Sequence, residues 1–265
     1  MSYGAETLGP LLAGGLIVWI GASNVLLVDA ATFALSAVGL ALLIPASAVT
    51  APAAEQPSYV ADIATGLRFI AQRPLLRTLA SANVLTNFIG APLFTVVLLV
   101  LIQQEYGEAS ALGLLIAAGG IGLLLGSLLF GALGHHLPRR GTFILGYSTF
   151  GLQLWLVAVG LPLAAIAGVF FVRGFLSAPC NPLTMTIFQE RTPADLRGRV
   201  FGAQTALSLA GLPLGFLLGG ALVDRYDVTT TLLLMASAYA AATLWLLLTP
   251  ALHAMQPPTP AAEKC

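Results

Sequence analysis

Charge is scarce in this chain: 11 Lys and Arg and 11 Asp and Glu among 265 residues, 8% in all. Soluble domains carry about a quarter charged residues, so an ordinary soluble globule is excluded. Net charge is zero, so no global basic field points to nucleic acid. Cysteine is almost absent: Cys180 and Cys265 lack metal-ligand spacing, and their predicted locations do not suit a disulfide. His135 and His136 are adjacent, share no helical face and have no third ligand nearby, so no metal site is expected. No group of His, Asp, Ser and Cys converges in the pattern of a catalytic centre, so neither an enzyme nor a cofactor is expected. The first residues, Met1 to Leu8, lack a basic segment, and no small-residue cleavage site precedes a polar region, so no cleavable signal peptide is expected.

What is abundant is apolar sequence, 58% of residues, with a mean hydropathy of +0.92. It is arranged in eight runs of helical length: Gly4 to Gly21, Asn24 to Ile44, Leu79 to Ile102, Ala109 to Leu133, Thr142 to Val159, Leu163 to Phe188, Val200 to Val223 and Thr229 to Thr249. About 20 mostly apolar residues are needed to cross a hydrocarbon core as a helix. Only helices or closed barrels satisfy their backbone there. The runs are too long and too continuously apolar for barrel strands. They predict an all-α polytopic membrane protein of about eight transmembrane helices, with the lipid bilayer as its first partner.

Charge asymmetry sets a predicted orientation. Short cytoplasmic loops collect Lys and Arg. Arg68, Arg73 and Arg77, Arg139 and Arg140, Arg191, Arg197 and Arg199, and Lys264 all fall on one set of connections. The opposite set holds only Arg225, and Arg173 lies inside a helix. Nine cations against one predict both termini in the cytoplasm of a multi-pass protein of the cytoplasmic membrane.

Residues Pro45 to Pro57 form an Ala/Pro-rich linker. Tyr59 to Leu76 then read as a surface amphipathic helix, with Ile63, Leu67 and Ile70 at helical spacing. The expected organisation is a two-helix piece at 4–44, a linker with the amphipathic helix at 45–78, a six-helix piece at 79–249, and a disordered tail at 250–265.

Local motifs give this arrangement a family. Leu8-Gly9-Pro10-Leu11-Leu12-Ala13-Gly14-Gly15 resembles the Gly-Pro-rich fifth helix of major facilitator superfamily transporters. Gly66 to Leu76 resembles the central-loop signature of bacterial efflux members similar to the enterobactin exporter. Gly126 to Gly131 with Pro138-Arg139-Arg140-Gly141 resembles the loop between the eighth and ninth helices. Thr192 to Gly202 resembles the loop before the eleventh. The resemblance covers residues 4 to about 249 and implies a partial major facilitator fold, whose halves are parallel repeats. On this registration the first four helices precede the present Met1, so a truncated gene or a misassigned start is the expectation. Gly211-Leu212-Pro213-Leu214-Gly215 with Gly219-Gly220 weakly echoes Gly9-Pro10 with Gly14-Gly15, as a repeat would.

Candidate site residues follow. Arg173 lies ten residues into its run, roughly 15 Å deep at 1.5 Å per residue. An Arg near the midplane costs at least about 2.5 kcal/mol unless it faces a cavity or a partner. It reads as a substrate or coupling contact, or as a structural ion pair or carbonyl cap; the resemblance places it in a helix lining the central cavity. Pro179-Cys180-Asn181-Pro182 predicts a kink, serving as a hinge and polar site with Asn181 in the cavity, or as a static bend. Asn83 and Asn87 share a face and are placed in the cavity, with helix-to-helix hydrogen bonding as the alternative. Asp29 is a candidate for coupling, with a structural hydrogen bond favoured. Arg139 and Arg140 resemble the family's gate-latching loop, but Gly134 and His135 stand where its acidic residue belongs. Arg197 and Arg199 are expected at the gate or on headgroups, with positive-inside topology as the alternative. Gly9, Pro10, Gly14, Gly15, Gly122 and Gly126 are expected to pack helices; the resemblance implies that the helix of Gly122 contacts that of Gly9.

The resemblance implies a secondary transporter, proton-coupled and exporting small molecules, drug-like or siderophore, by alternating access. The alternative is a non-transporting fragment or a self-assembling half-transporter. Oligomerisation is left open.

Overall fold

The computed structural model describes residues 22–43, 59–106 and 109–256. The chain divides into two units at Pro57. In the first, the described part is one apolar helix, α1 (Ala22–Leu43), with Leu27 and Phe33 exposed. The expected span at 4–21, with Gly9, Pro10, Gly14 and Gly15, lies outside the described residues.

Among its described residues the second unit is all-helical. It comprises α2 (Tyr59–Gln72), α3 (Pro74–Pro92), α4 (Leu98–Glu105), α5 (Ala109–Leu133), α6 (Arg139–Ala158), α7 (Leu163–Ser177), α8 (Cys180–Arg191), α9 (Arg197–Arg225) and α10 (Val228–Leu248). Among the described residues, six helical stretches are long and apolar enough to cross a membrane: 74–105, 110–136, 139–158, 163–191, 194–225 and 228–248. They match the six expected runs. Large apolar side chains such as Leu217 and Leu248 remain exposed on the bundle's outside, as a lipid-facing surface requires.

Helix starts are set by proline and capping chemistry. Pro74 occupies the first turn of α3, where a missing N–H costs nothing. Gly160, at φ +73°, makes the turn before Pro162 and α7. Asp227 caps α10, accepting from the Thr230 N–H at 3.0 Å. The Thr230 hydroxyl and amide hold its carboxyl below the usual carboxylate range.

Three helix pairs build the bundle, the first two through close backbone contact and the third through aromatic rings. In the first pair, Gly211, Gly215 and Gly219 of α9 recur every four residues and face Val84, Phe88 and Pro92 of α3. A Cβ on Gly215 would strike the Phe88 carbonyl, and one on Gly219 the Pro92 ring. In the second, Gly119, Gly122 and Gly126 of α5 face Phe170, Phe171, Phe175, Gly174 and Ala178 of α7 and its continuation. The third joins α6 to α10 through Gly151 against Tyr239, with the Tyr147 and Tyr239 rings stacked at 4.7 Å. Small residues that let backbones approach are the usual adhesive between helices in lipid, where apolar burial gives no net drive.

Four boundaries differ from expectation. The first span of the half begins at Pro74 rather than Leu79 and continues to Glu105. After Pro92 it takes one π-helical turn, Leu93–Val97, closed by the Leu98 N–H on the Leu93 carbonyl. The run Leu163 to Phe188 breaks into α7 and α8 at Ala178 and Pro179, whose dihedrals stay helical, so the axis bends without reversing. The amphipathic helix ends at Gln72 because Arg73 turns extended before Pro74. It is not a free surface helix: Gly66, Phe69 and Ile70 are buried, and a Cβ on Gly66 would strike the Arg199 carbonyl of α9. Of the tail expected to be disordered at 250–265, Pro250–Met255 instead forms a 3-10 turn, with Leu252 and Met255 fully buried in the core, and 257–265 lie outside the described residues.

Candidate functional site

Arg173 projects from α7 toward α6, with its guanidinium carbon 4.9 Å from the Phe150 ring centroid. Phe150 packs edge-on to Tyr239 at 4.8 Å, and Tyr239 stacks on Tyr147. The Tyr239 hydroxyl shares a 3.0 Å hydrogen bond with the Thr86 hydroxyl of α3. The Tyr147 hydroxyl donates to the Ala82 carbonyl at 3.5 Å. Four elements, α3, α6, α7 and α10, thus meet around this arginine. Its Nε is buried without a hydrogen-bond partner, and no carboxylate among the described residues pairs with it. The cation faces one aromatic ring, that of Phe150, a contact worth about 0.5–2 kcal/mol, which does not offset the cost of an intramembrane charge.

The two asparagines are brought together, but mostly for packing. The Asn87 amide donates to Asn83 Oδ1 at 3.2 Å and to the Ser208 carbonyl at 3.3 Å. The Ser208 hydroxyl donates to the same Asn83 oxygen at 2.6 Å. This knot joins α3 to α9 beside the Gly211 seam. Asn181 is exposed and makes no side-chain hydrogen bond among the described residues. Cys180 donates weakly to the Phe143 carbonyl at 3.7 Å, which makes it a packing residue between α8 and α6. Asp29 is exposed on α1, and its backbone carbonyl accepts from the Thr32 hydroxyl.

At the arginine-rich end the structure supplies what the loop motif lacks. Arg139 forks onto Glu190, with Nη1 to Oε2 at 2.7 Å and Nη2 to Oε1 at 3.0 Å. Arg140 donates to the Leu247 carbonyl at the end of α10. Arg197 reaches back to the Thr192 and Gln189 carbonyls, closing the end of α8. Arg199 pairs with Asp62 of α2 at 2.6 Å. Glu190, Asp62, Ser208 and Phe150 were not singled out by sequence reasoning. Only Glu190 and Asp62 left a signal there, as acids in segments otherwise dominated by arginine.

Gly122 and Gly126 have their bare faces occupied by α7. They therefore serve packing within the six-helix unit.

Residues 80–264 match the family model described as Major Facilitator Superfamily. The chain is 30% identical over 229 residues to the "Multidrug efflux pump Tap" of Mycolicibacterium fortuitum, covering 86% of this chain and 56% of that protein. It is 31% identical over 233 residues to the "Multidrug efflux pump Tap" of Mycobacterium tuberculosis (strain ATCC 25618 / H37Rv), covering 88% and 55%. It is 32% identical over 215 residues to the "Enterobactin exporter EntS" of Escherichia coli O1:K1 / APEC, covering 80% and 49%. The chain spans about half the length of the curated relatives it matches. With six membrane-spanning stretches and a family match over most of its length, the chain belongs to the Major Facilitator Superfamily.

Proposed function

We propose that this chain supplies the C-terminal half and the adjoining helices of a secondary transporter that exports small drug-like molecules from the cytoplasm. The observation that carries the reading is Arg173, a cation inside the apolar stretch 163–191 with no carboxylate partner among the described residues. Such a residue in a transmembrane segment marks a substrate or ion path more often than a fold element. Its similarity to efflux pumps favours export and drug-like substrates over siderophores. Both termini lie in the cytoplasm, since the arginine-rich connections gather at one end. Proton coupling drives transport, with Asp29 the acidic candidate in the first unit. Asn181 lines the same path, Asn83 and Asn87 join α3 to α9 through Ser208, and Arg139, Arg140, Arg197 and Arg199 hold the path's cytoplasmic end.

The test is dye accumulation in a pump-deficient bacterial host expressing this chain, a version extended to the nearest upstream start, and Arg173→Ala in each. Lower accumulation with the extended form, lost in Arg173→Ala, supports the reading. Equal accumulation in all cells at matched protein abundance refutes export.

A second reading rests on the share of the relatives that the chain spans, 49 to 56%. The 265 residues would then be a non-transporting membrane fragment, or would transport only as self-assembled copies. Export by the short chain alone, with a dimer on crosslinking, favours self-assembly over the extended transporter.

A further inference from the structure

We infer that the arginine-rich end carries a binding pocket for the phosphate of an anionic phospholipid headgroup, formed by Arg73 and Arg191. A cavity of about 510 Å3 opens between the start of α3, the end of α8 and the 3-10 turn after α10. Its walls are apolar, built from Pro74, Leu75, Pro250 and Ala251, and its charges are the two guanidinium groups.

Neither arginine is neutralised. Arg73 lies flat on the Phe69 ring, its Cζ 3.4 Å from the centroid, with one long contact of 3.5 Å to the Phe69 carbonyl. Arg191 Nη2 donates to the Ala254 and Gln256 carbonyls at 2.8 and 3.2 Å, while its Nε is buried without a partner. Among the described residues the two ion pairs use other arginines, Arg139 and Arg199. Even the neighbouring acid, Glu190, is committed to Arg139. Two positive forks are therefore held against an apolar floor, one by an aromatic ring and one by two carbonyls, with donors left over.

The chemistry selects the ligand. Guanidinium forks match phosphate oxygens bidentately. Basic pockets between membrane helices at the cytoplasmic level suit anionic headgroups. The apolar walls favour a lipid over a free anion: the glycerol and first acyl carbons cover Pro74, Leu75 and Pro250, whereas inorganic phosphate would leave them wet. The first turn of α3 has no side-chain cap and adds to the same preference without carrying it.

Native mass spectrometry of the purified 265-residue chain tests the site, with phosphatidylglycerol and phosphatidylcholine of matched acyl length as probes. Phosphatidylglycerol should bind in preference, and Arg73→Gln with Arg191→Gln should weaken it by about fivefold per arginine removed. The pair Arg73→Lys and Arg191→Lys, which keeps the charge but loses the forks, should bind between the parent and the double Gln variant and shows that the variants fold. Arg225→Gln, at the other end, should change nothing. Equal binding of the two lipids, or unchanged phosphatidylglycerol binding in the double Gln variant, overturns the proposal. Displacement of the lipid by an equal concentration of inorganic phosphate assigns the pocket to a free anion and overturns the lipid assignment.

Discussion

The Phe175 carbonyl lies against the bare Cα face of Gly126, on the helix packed beside it. Pro179, with no N–H, leaves that carbonyl without its helical donor, but the contact does not depend on the proline: the Phe171 carbonyl lies against Gly122 in the same way with Phe175 four residues on. The other bent span repeats the device. Pro92 releases the Phe88 carbonyl, and that carbonyl lies against Gly215 of α9. In both cases the missing side chain of a glycine on the next helix makes room for the carbonyl that the proline frees.

Filling either glycine should therefore break a helix pair. Gly126→Val and Gly215→Val are expected to lose about 1–3 kcal/mol through overpacking, read as a lower midpoint of thermal unfolding in detergent. Gly113→Ala, where an added Cβ meets nothing within 4 Å, is the control and should not lower the midpoint.

The Arg139–Glu190 pair ties the start of α6 to the last turn of α8, with side chains 22% and 31% exposed. Reversal of charge at either residue alone should destabilise the chain, and the swap Arg139→Glu with Glu190→Arg should recover part of the loss. Coupling of about 0.5–1 kcal/mol in a double-mutant cycle is expected for a pair this wet. Zero coupling would make the fork incidental.

Ser208→Ala removes one of the two donors to Asn83 Oδ1 and leaves the Asn87 amide in place. A loss of about 0.6 kcal/mol is expected, the typical value for interhelical hydrogen bonds in lipid. If Ser208→Ala instead abolishes export at unchanged stability, Asn83 belongs to the solute path and the packing account of this knot is wrong.

The Asp227 cap has a pH signature. Its carboxyl is held below the usual range by Thr230, so the stabilisation is full above the unfolded value of about 3.9 and fades as pH falls through the lower folded value. Amide exchange at Thr229–Thr231, corrected for the intrinsic rate, should stay constant from neutral pH to about 4 and accelerate below it. Asp227→Asn, which still accepts the Thr230 amide, should remove that acceleration.

The spans themselves were legible because the bilayer imposes one demand, about 20 apolar residues per crossing, and all six runs of the second unit met it. What remained illegible depends on residues far apart in sequence. Glu190 stands 51 positions from Arg139, and no local motif joins them. Phe150 under Arg173 looks like any lipid-facing aromatic until α6 and α7 are packed. The start of the tail misled because Pro250 and short side chains suggest disorder, whereas Leu252 and Met255 find a core pocket. Asn83 and Asn87 were read as sharing a face, which holds, but that face meets Ser208 of α9.

The central claim is that Arg173 faces the path of a solute. It is tested most directly by Arg173→Cys in a Cys180→Ser, Cys265→Ser background, reconstituted in proteoliposomes and treated with aminoethyl methanethiosulfonate. The account predicts that the folded protein gains one aminoethylthio group, disulfide-linked at position 173 with release of methanesulfinate, and that an exported drug slows the reaction, because water and solute reach the site. A cysteine there that reacts only after denaturation would contradict it and leave Arg173 as a structural cation packed on Phe150.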